Sequence, residues 1–201
     1  MTAPTTFERV YLGIKAWLTA GHYRPGDRLE PSHLSEQLNS SVTPVRDALH
    51  RLTGERLVEA PRSEGFRVPL ASEFMLRHLY AWHRDLLLLA LAARKPFVPT
   101  SDLTFDPQKP PRIAHEQALF MGLAEATGNF EHVQALRSLL ERLEPYQRLE
   151  GEVLEQLEEE ASAIALAVEQ GDRRALRSLL VRYHRRRSRV VPDLVAMAAQ
   201  R

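Results

Sequence analysis

The sequence predicts a mostly α chain: an N-terminal winged helix-turn-helix over residues 1–70 and a C-terminal antiparallel all-helical bundle over residues 71–201. Three observations carry this. A turn at Pro25-Gly26 leads to a short apolar stretch, then to a helix opening at Thr43-Pro44, then to two strand-like runs around a Gly-containing loop. That order of elements holds one helix outward, at a size suited to the DNA major groove. Past residue 72, apolar residues recur at helical spacing and no run alternates as a strand does.

Each element has its own signal. Phe7, Val10, Tyr11, Ile14, Trp17 and Leu18 share one side of a helix over about 6–19, which Gly21 and the Arg24-Pro25-Gly26 turn end. Leu34 and Leu38 mark a shorter helix. Thr43 is the expected N-cap of the next, with Pro44 at its first helical position. Val45, Ala48, Leu49 and Leu52 form its apolar side and leave Arg46, Asp47, His50 and Arg51 outside. Leu57-Val58-Glu59 and Phe66-Arg67-Val68 read as a two-stranded wing with Pro61–Gly65 at its tip.

In the second half a helix over about 73–95 carries the unbroken run Leu86–Leu91, the mark of a central or interfacial helix. Pro96, Pro99, Pro107, Pro110 and Pro111 predict a loop over 96–111. Helices follow over about 112–127, stopped by Gly128-Asn129; 130–143, before Pro145; and 147–169, ended by Gly171. Asp172 caps a last long helix, which Pro192 breaks before a short tail helix.

Composition narrows the function classes. The chain has 201 residues, 44 % of them hydrophobic and none of them cysteine, so a real core forms without disulfides or thiolate metal sites. No basic-then-apolar leader opens the sequence and the longest apolar run is too short for a bilayer, so no membrane role and a cytoplasmic location are expected. Net charge is +1. Nine basic and eight acidic residues up to position 70 leave that half equally near neutral, so any attraction to nucleic acid comes from placement.

The outward helix supplies the candidate contacts. Arg46 suits guanine O6/N7 or a phosphate, and His50, one turn later, suits a base edge. Thr43 can cap and touch a phosphate. Arg51 has two readings, a phosphate contact or an intrahelical pair with Asp47 or Glu55. Arg62 at the wing tip suits the minor groove or the backbone. The run Arg182, Arg185, Arg186, Arg187 and Arg189 faces an equally acidic stretch, Glu152 to Glu160, so pairing between neighbouring helices accounts for both.

The stretch P-G-D-R-L, S-V-T-P-V-R-D-A-L-H-R-L and G-F-R-V resembles the winged-helix domain of the GntR family of bacterial transcription regulators. L-A-E-A-T-G-N at 123–129 and A-L-A-V-E-Q-G-D at 165–172 resemble its FCD type of effector domain. The resemblance implies a homodimer on a palindromic double-stranded operator, a non-enzyme, and a small effector in the bundle that shifts operator affinity. It makes Ser41 a phosphate-contacting hydroxyl, with Val42 where the family often has an arginine.

The family's metal site, one acidic residue and three histidines, falls on Glu116, Phe120, Ala161 and His184. Two of these four lack a donor, so no metal and no other cofactor is expected. The family's arginine and glutamate on the first bundle helix become His83 and Leu87, and a helix after it is replaced by the Pro-rich stretch. His83, Glu116, Phe120 and His184 are the expected pocket residues, for an organic acid or a more apolar metabolite. His184 can equally be a paired core histidine, and Glu116 a solvated one. The alternative is an effector-blind constitutive repressor with a degenerate sensor. A metallohydrolase-like site on Glu116 and His184 lacks a nucleophile and a full ligand set.

Overall fold

Thr5 opens the first helix with a capping box: its hydroxyl accepts from the Glu8 amide while the Glu8 carboxylate accepts from the Thr5 amide at 2.8 Å. This helix, α1 (Thr6–Thr19), buries Val10, Tyr11, Ile14 and Leu18. α2 (Pro31–Gln37) and α3 (Val42–Gly54) follow, and both α1 and α2 pack on α3. The computed structural model describes residues 4–62, 64–93 and 110–200. These divide into two compact units, one of the chain up to Ala71 with residues from Ala198, the other Ser72–Met197. The helix-rich architecture is the predicted one.

Thr43 is not the N-cap of α3. Ser41, with extended backbone, holds that place, so Pro44 lies third in the helix. A proline fits there because the first-turn amides have no intrahelical acceptor anyway. The turn before α3 is set by Asn39, whose left-handed backbone (φ 45°) lets the Ser40 amide donate to the Ser35 carbonyl at 2.9 Å and closes α2 in a Schellman motif. The Arg9 guanidinium donates to the Leu38 and Asn39 carbonyls at the same end, where the helix dipole favours a cation.

The wing is thinner than predicted. Among the described residues it holds isolated bridges in place of strands. Arg67 pairs with Glu59 on one side and with Arg28 on the other. Pro61 and Pro69 lack the amides that a longer ladder needs. The 27–29 segment, where the Leu29 amide donates to the Phe66 carbonyl at 2.9 Å, is a third partner the sequence did not reveal.

The second unit begins with α4 (Glu73–Ala92), which buries Leu76, Tyr80, His83, Leu87 and Ala90. α5 (Pro111–Glu125), α6 (Phe130–Gln147), α7 (Leu157–Glu169) and α8 (Arg173–Arg189) complete the bundle, with α4 against α8, α5 against α6 and α7 against α8. α9 (Val191–Gln200) starts after α8 with Pro192 in its first turn. Pro96, Pro99 and Pro107 of the expected loop lie outside the described residues, and Pro111 opens α5.

Two helix limits differ from expectation. α6 runs through Pro145 to Gln147, because only its last turn must do without that amide. The helix expected to start at 147 starts at 157. A short 3-10 turn, Glu150–Glu152, and a left-handed Gln156 (φ 56°) come first, and they turn Glu150 into the core. No helix among the described residues is long and apolar enough to cross a membrane.

Candidate nucleic-acid interface and bundle site

The outer side of α3 carries the predicted residues together. Val45, Ala48, Leu49 and Leu52 are buried against the α1 core. Ser41, Thr43, Arg46, His50 and Arg51 are exposed. The Ser41 hydroxyl makes no capping hydrogen bond. Arg46 and Arg62 pair with no described residue. His50 packs edge-on against Phe66 of the wing, with ring centroids 4.9 Å apart, a contact not foreseen from the sequence.

Arg51 is held within the unit. Its Nε donates to Glu55 at 3.3 Å and its guanidinium lies over the Tyr11 ring at 4.0 Å. The same carboxylate accepts from the Tyr11 hydroxyl at 2.7 Å and from Lys15 at 2.9 Å. Burial alone pushes the Glu55 carboxyl up, but the hydrogen bonds from Tyr11, Lys15 and Arg51 outweigh it and hold it below the ordinary carboxylate range. The cluster ties the C-terminal end of α3 to α1. Tyr11→Phe is expected to cost about 1–2 kcal/mol, read from the denaturant midpoint, because it removes the strongest neutral donor to that carboxylate.

The bundle residues also converge. His83, Glu116, Phe120 and His184 are all buried. His83 and Phe120 meet edge to face at 4.9 Å, and His83 Nδ1 lies 3.1 Å from His184 Nε2. The proton positions follow. His184 Nδ1 faces the Leu180 carbonyl at 2.7 Å, so it donates. His184 Nε2 is then an acceptor in the neutral ring, and His83 Nδ1 donates to it. His83 Nε2 is left as a buried lone pair with no partner. Burial, then the neighbouring His184 and Arg187, push His83 well below its ordinary value; burial takes His184 down to about 4.

Beside them lies an ionic network of which the sequence shows the pairing of the basic run with Glu160, but neither the burial of Arg187 nor the part of Glu150. Arg187 is fully buried. Its guanidinium donates to both Glu150 oxygens at 3.0 and 2.9 Å and to Glu160 at 2.7 Å, and lies over the Tyr183 ring at 3.2 Å. Tyr80 donates to Glu150 at 2.9 Å. Glu116 is not a solvated residue. It accepts from Tyr183 at 3.1 Å and from Arg112 at 2.8 Å. Burial still raises its carboxyl above the ordinary range, against the pull of Arg187 and Arg112. Arg186 pairs with Glu160 at 2.9 Å, as expected of oppositely charged neighbouring helices.

The family's metal does not fit this donor set. Phe120 and Ala161 offer no ligand atom, both Glu116 oxygens are engaged, and both His184 nitrogens face protein atoms. Among the described residues no three His, Asp or Glu side chains group as a cation site.

Comparison with known proteins places the first unit. The family "bacterial regulatory proteins, gntR family" matches residues 6–68. The chain is similar to the HTH-type transcriptional regulator McbR of Escherichia coli (strain K12), 35 % identical over 79 residues, 39 % of this chain and 36 % of that protein. It is similar to the Nta operon transcriptional regulator of Aminobacter aminovorans, 39 % identical over 59 residues, 29 % of this chain and 28 % of that one. The chain thus spans about a third of the length of the curated relatives it matches. Among solved structures, E. coli McbR/YncC has the same fold across 95 % of this chain and 99 % of its own, with a TM-score of 0.71 at 20 % identity. Residues 6–68 thus resemble the bacterial regulatory proteins of the gntR family, and the chain as a whole has the fold of E. coli McbR/YncC.

Proposed function

We propose that the chain is a transcription regulator that binds a palindromic double-stranded operator as a homodimer, and whose operator affinity responds to a small molecule held in the bundle. The relatives are regulators and not enzymes, which supports a non-enzymatic role. One observation carries the DNA reading: Thr43, Arg46 and His50 form an exposed row on a helix whose other side is core. Arg46 reads a base or a phosphate, with Thr43 and His50 beside it. Ser41 adds a phosphate contact and Arg62 extends the footprint from the wing. Arg51 reaches a phosphate only by giving up Glu55.

The test is fluorescence anisotropy on promoter DNA from beside its own gene, at fixed physiological salt. Arg46→Ala is expected to weaken binding by about 1–3 kcal/mol, roughly fivefold to 150-fold. Equal binding by the variant removes Arg46 from the interface.

In the bundle, His83, Glu116, Phe120 and His184 form the effector site of this reading. The bare His83 Nε2 favours a ligand that donates a hydrogen bond there, from a hydroxyl or an amide. The closed Arg187 network favours a second reading, an effector-blind repressor whose sensor is filled by its own side chains. A thermal-shift screen separates the two: a metabolite that raises Tm and also moves operator affinity excludes the second.

A further inference from the structure

α3 breaks its own pattern at one position. Val45, Ala48, Leu49 and Leu52 are buried in the core of the first unit. Val42, the first residue of the helix, is 38 % exposed. It belongs neither to that core nor, among the described residues, to the partly buried apolar side chains packed on it. A single exposed valine needs no explanation by itself. Its neighbours give this one a place.

The Ser41 hydroxyl makes no capping hydrogen bond, and the first-turn amides beside it have no intrahelical acceptor. With the positive end of the helix dipole they suit a phosphate, which would lay this turn against a duplex. Val42, Arg46 and His50 then follow at intervals of four, all exposed. Each step along this row rises about 6 Å and turns about 40°. In a helix-turn-helix the N-terminal residues of the outward helix meet base edges in the major groove.

An isopropyl group neither donates nor accepts a hydrogen bond. Among the groups that the four bases present in the major groove, the C5 methyl of thymine is the apolar one. We propose that Val42 is a base-reading residue whose side chain buries a thymine methyl in each half of the operator. This rests on the DNA reading proposed above and adds a specified base to it. A rise of about 6 Å corresponds to about two base pairs, so the T·A pair stands about that far from the pair that Arg46 meets.

The test starts with selection of duplexes from a random library by the wild-type chain at physiological salt. A library from which no preferred sequence emerges overturns the DNA reading and this inference together. Each thymine of the selected site is then replaced by deoxyuridine, which removes the methyl and keeps every hydrogen-bonding group. At one thymine in each half-site, affinity by fluorescence anisotropy is expected to fall about fourfold, the worth of one buried carbon.

Val42→Ala is expected to bind the thymine and uracil sites alike and to keep the wild-type Tm, because the residue lies outside the core. Thr43→Ser, which removes the neighbouring exposed methyl, is expected to retain the uracil penalty. A wild type indifferent to uracil at every position overturns the inference. So does a penalty that persists in Val42→Ala, or one that disappears in Thr43→Ser. Each of these results leaves the selected operator, and with it the DNA reading, standing.

Discussion

Replacing Arg187 with alanine is expected to cost about 3–5 kcal/mol of stability, the largest single effect in the molecule. The guanidinium is fully enclosed by Glu150, Glu160 and the Tyr183 ring. Its removal leaves Glu150 fully buried, with Tyr80 at 2.9 Å and Arg112 at 3.5 Å as its remaining partners. A buried carboxylate stripped of its bidentate partner costs more than the pair contributed, and the vacated space adds a cavity penalty. Arg187→Met combined with Glu150→Leu removes both charges and is expected to recover most of the loss. Urea denaturation of the four proteins forms a double-mutant cycle. An unchanged midpoint for Arg187→Ala would show that the charges are not as enclosed as the geometry says.

Acid is expected to weaken the second unit from pH 6.5 downward, before most carboxylates titrate. His184 has an ordinary value of 6.5 and is held at about 4 in the folded chain by burial. Its folded form therefore binds fewer protons than the unfolded chain. The stability this implies is complete above pH 6.5 and is lost as pH falls from 6.5 towards 4. At 1.36 kcal/mol per unit the loss is about 3 kcal/mol. His83, held down in the same way, adds to it. Glu116 acts in the opposite sense. Its raised value makes the folded state the better proton binder just above the ordinary carboxylate range, and this offsets part of the loss. Stability curves at several pH values check the sum. His184→Phe should flatten the slope between pH 6.5 and 4, and an unaltered slope would show that the ring is not buried in its neutral form.

The helices were legible where burial is periodic. Val10, Ile14 and Leu18 in α1, and Val45, Ala48, Leu49 and Leu52 in α3, are core as their spacing predicts. The same logic could have found Arg187. Leu176, Leu180, Tyr183, Arg187, Val191 and Leu194 follow one another at intervals of three or four, so the arginine occupies a core position within a basic run. Its charge drew attention to the acidic neighbours and away from that register.

Glu150 gave no such signal. Its burial comes from a turn that only tertiary packing creates, and this also displaced the start of α7. The N-cap of α3 falls at Ser41 and not at Thr43, without a side-chain cap, because Pro44 is tolerated anywhere in a first turn and so does not fix where the helix starts. The convergence of His83 on His184 joins residues 101 positions apart and needed coordinates.

The thinness of the wing has a dynamic consequence. Arg67 is shared between Arg28 and Glu59, so the element is one pair deep on each side. Two backbone hydrogen bonds, from the Arg67 amide to the Glu59 carbonyl at 2.9 Å and back at 2.8 Å, close the loop that carries Arg62. Opening so small a zipper needs far less free energy than opening α3. Its amides should therefore exchange with solvent water long before those of Leu49 or Leu52, and they should slow markedly once a duplex lies against Arg62.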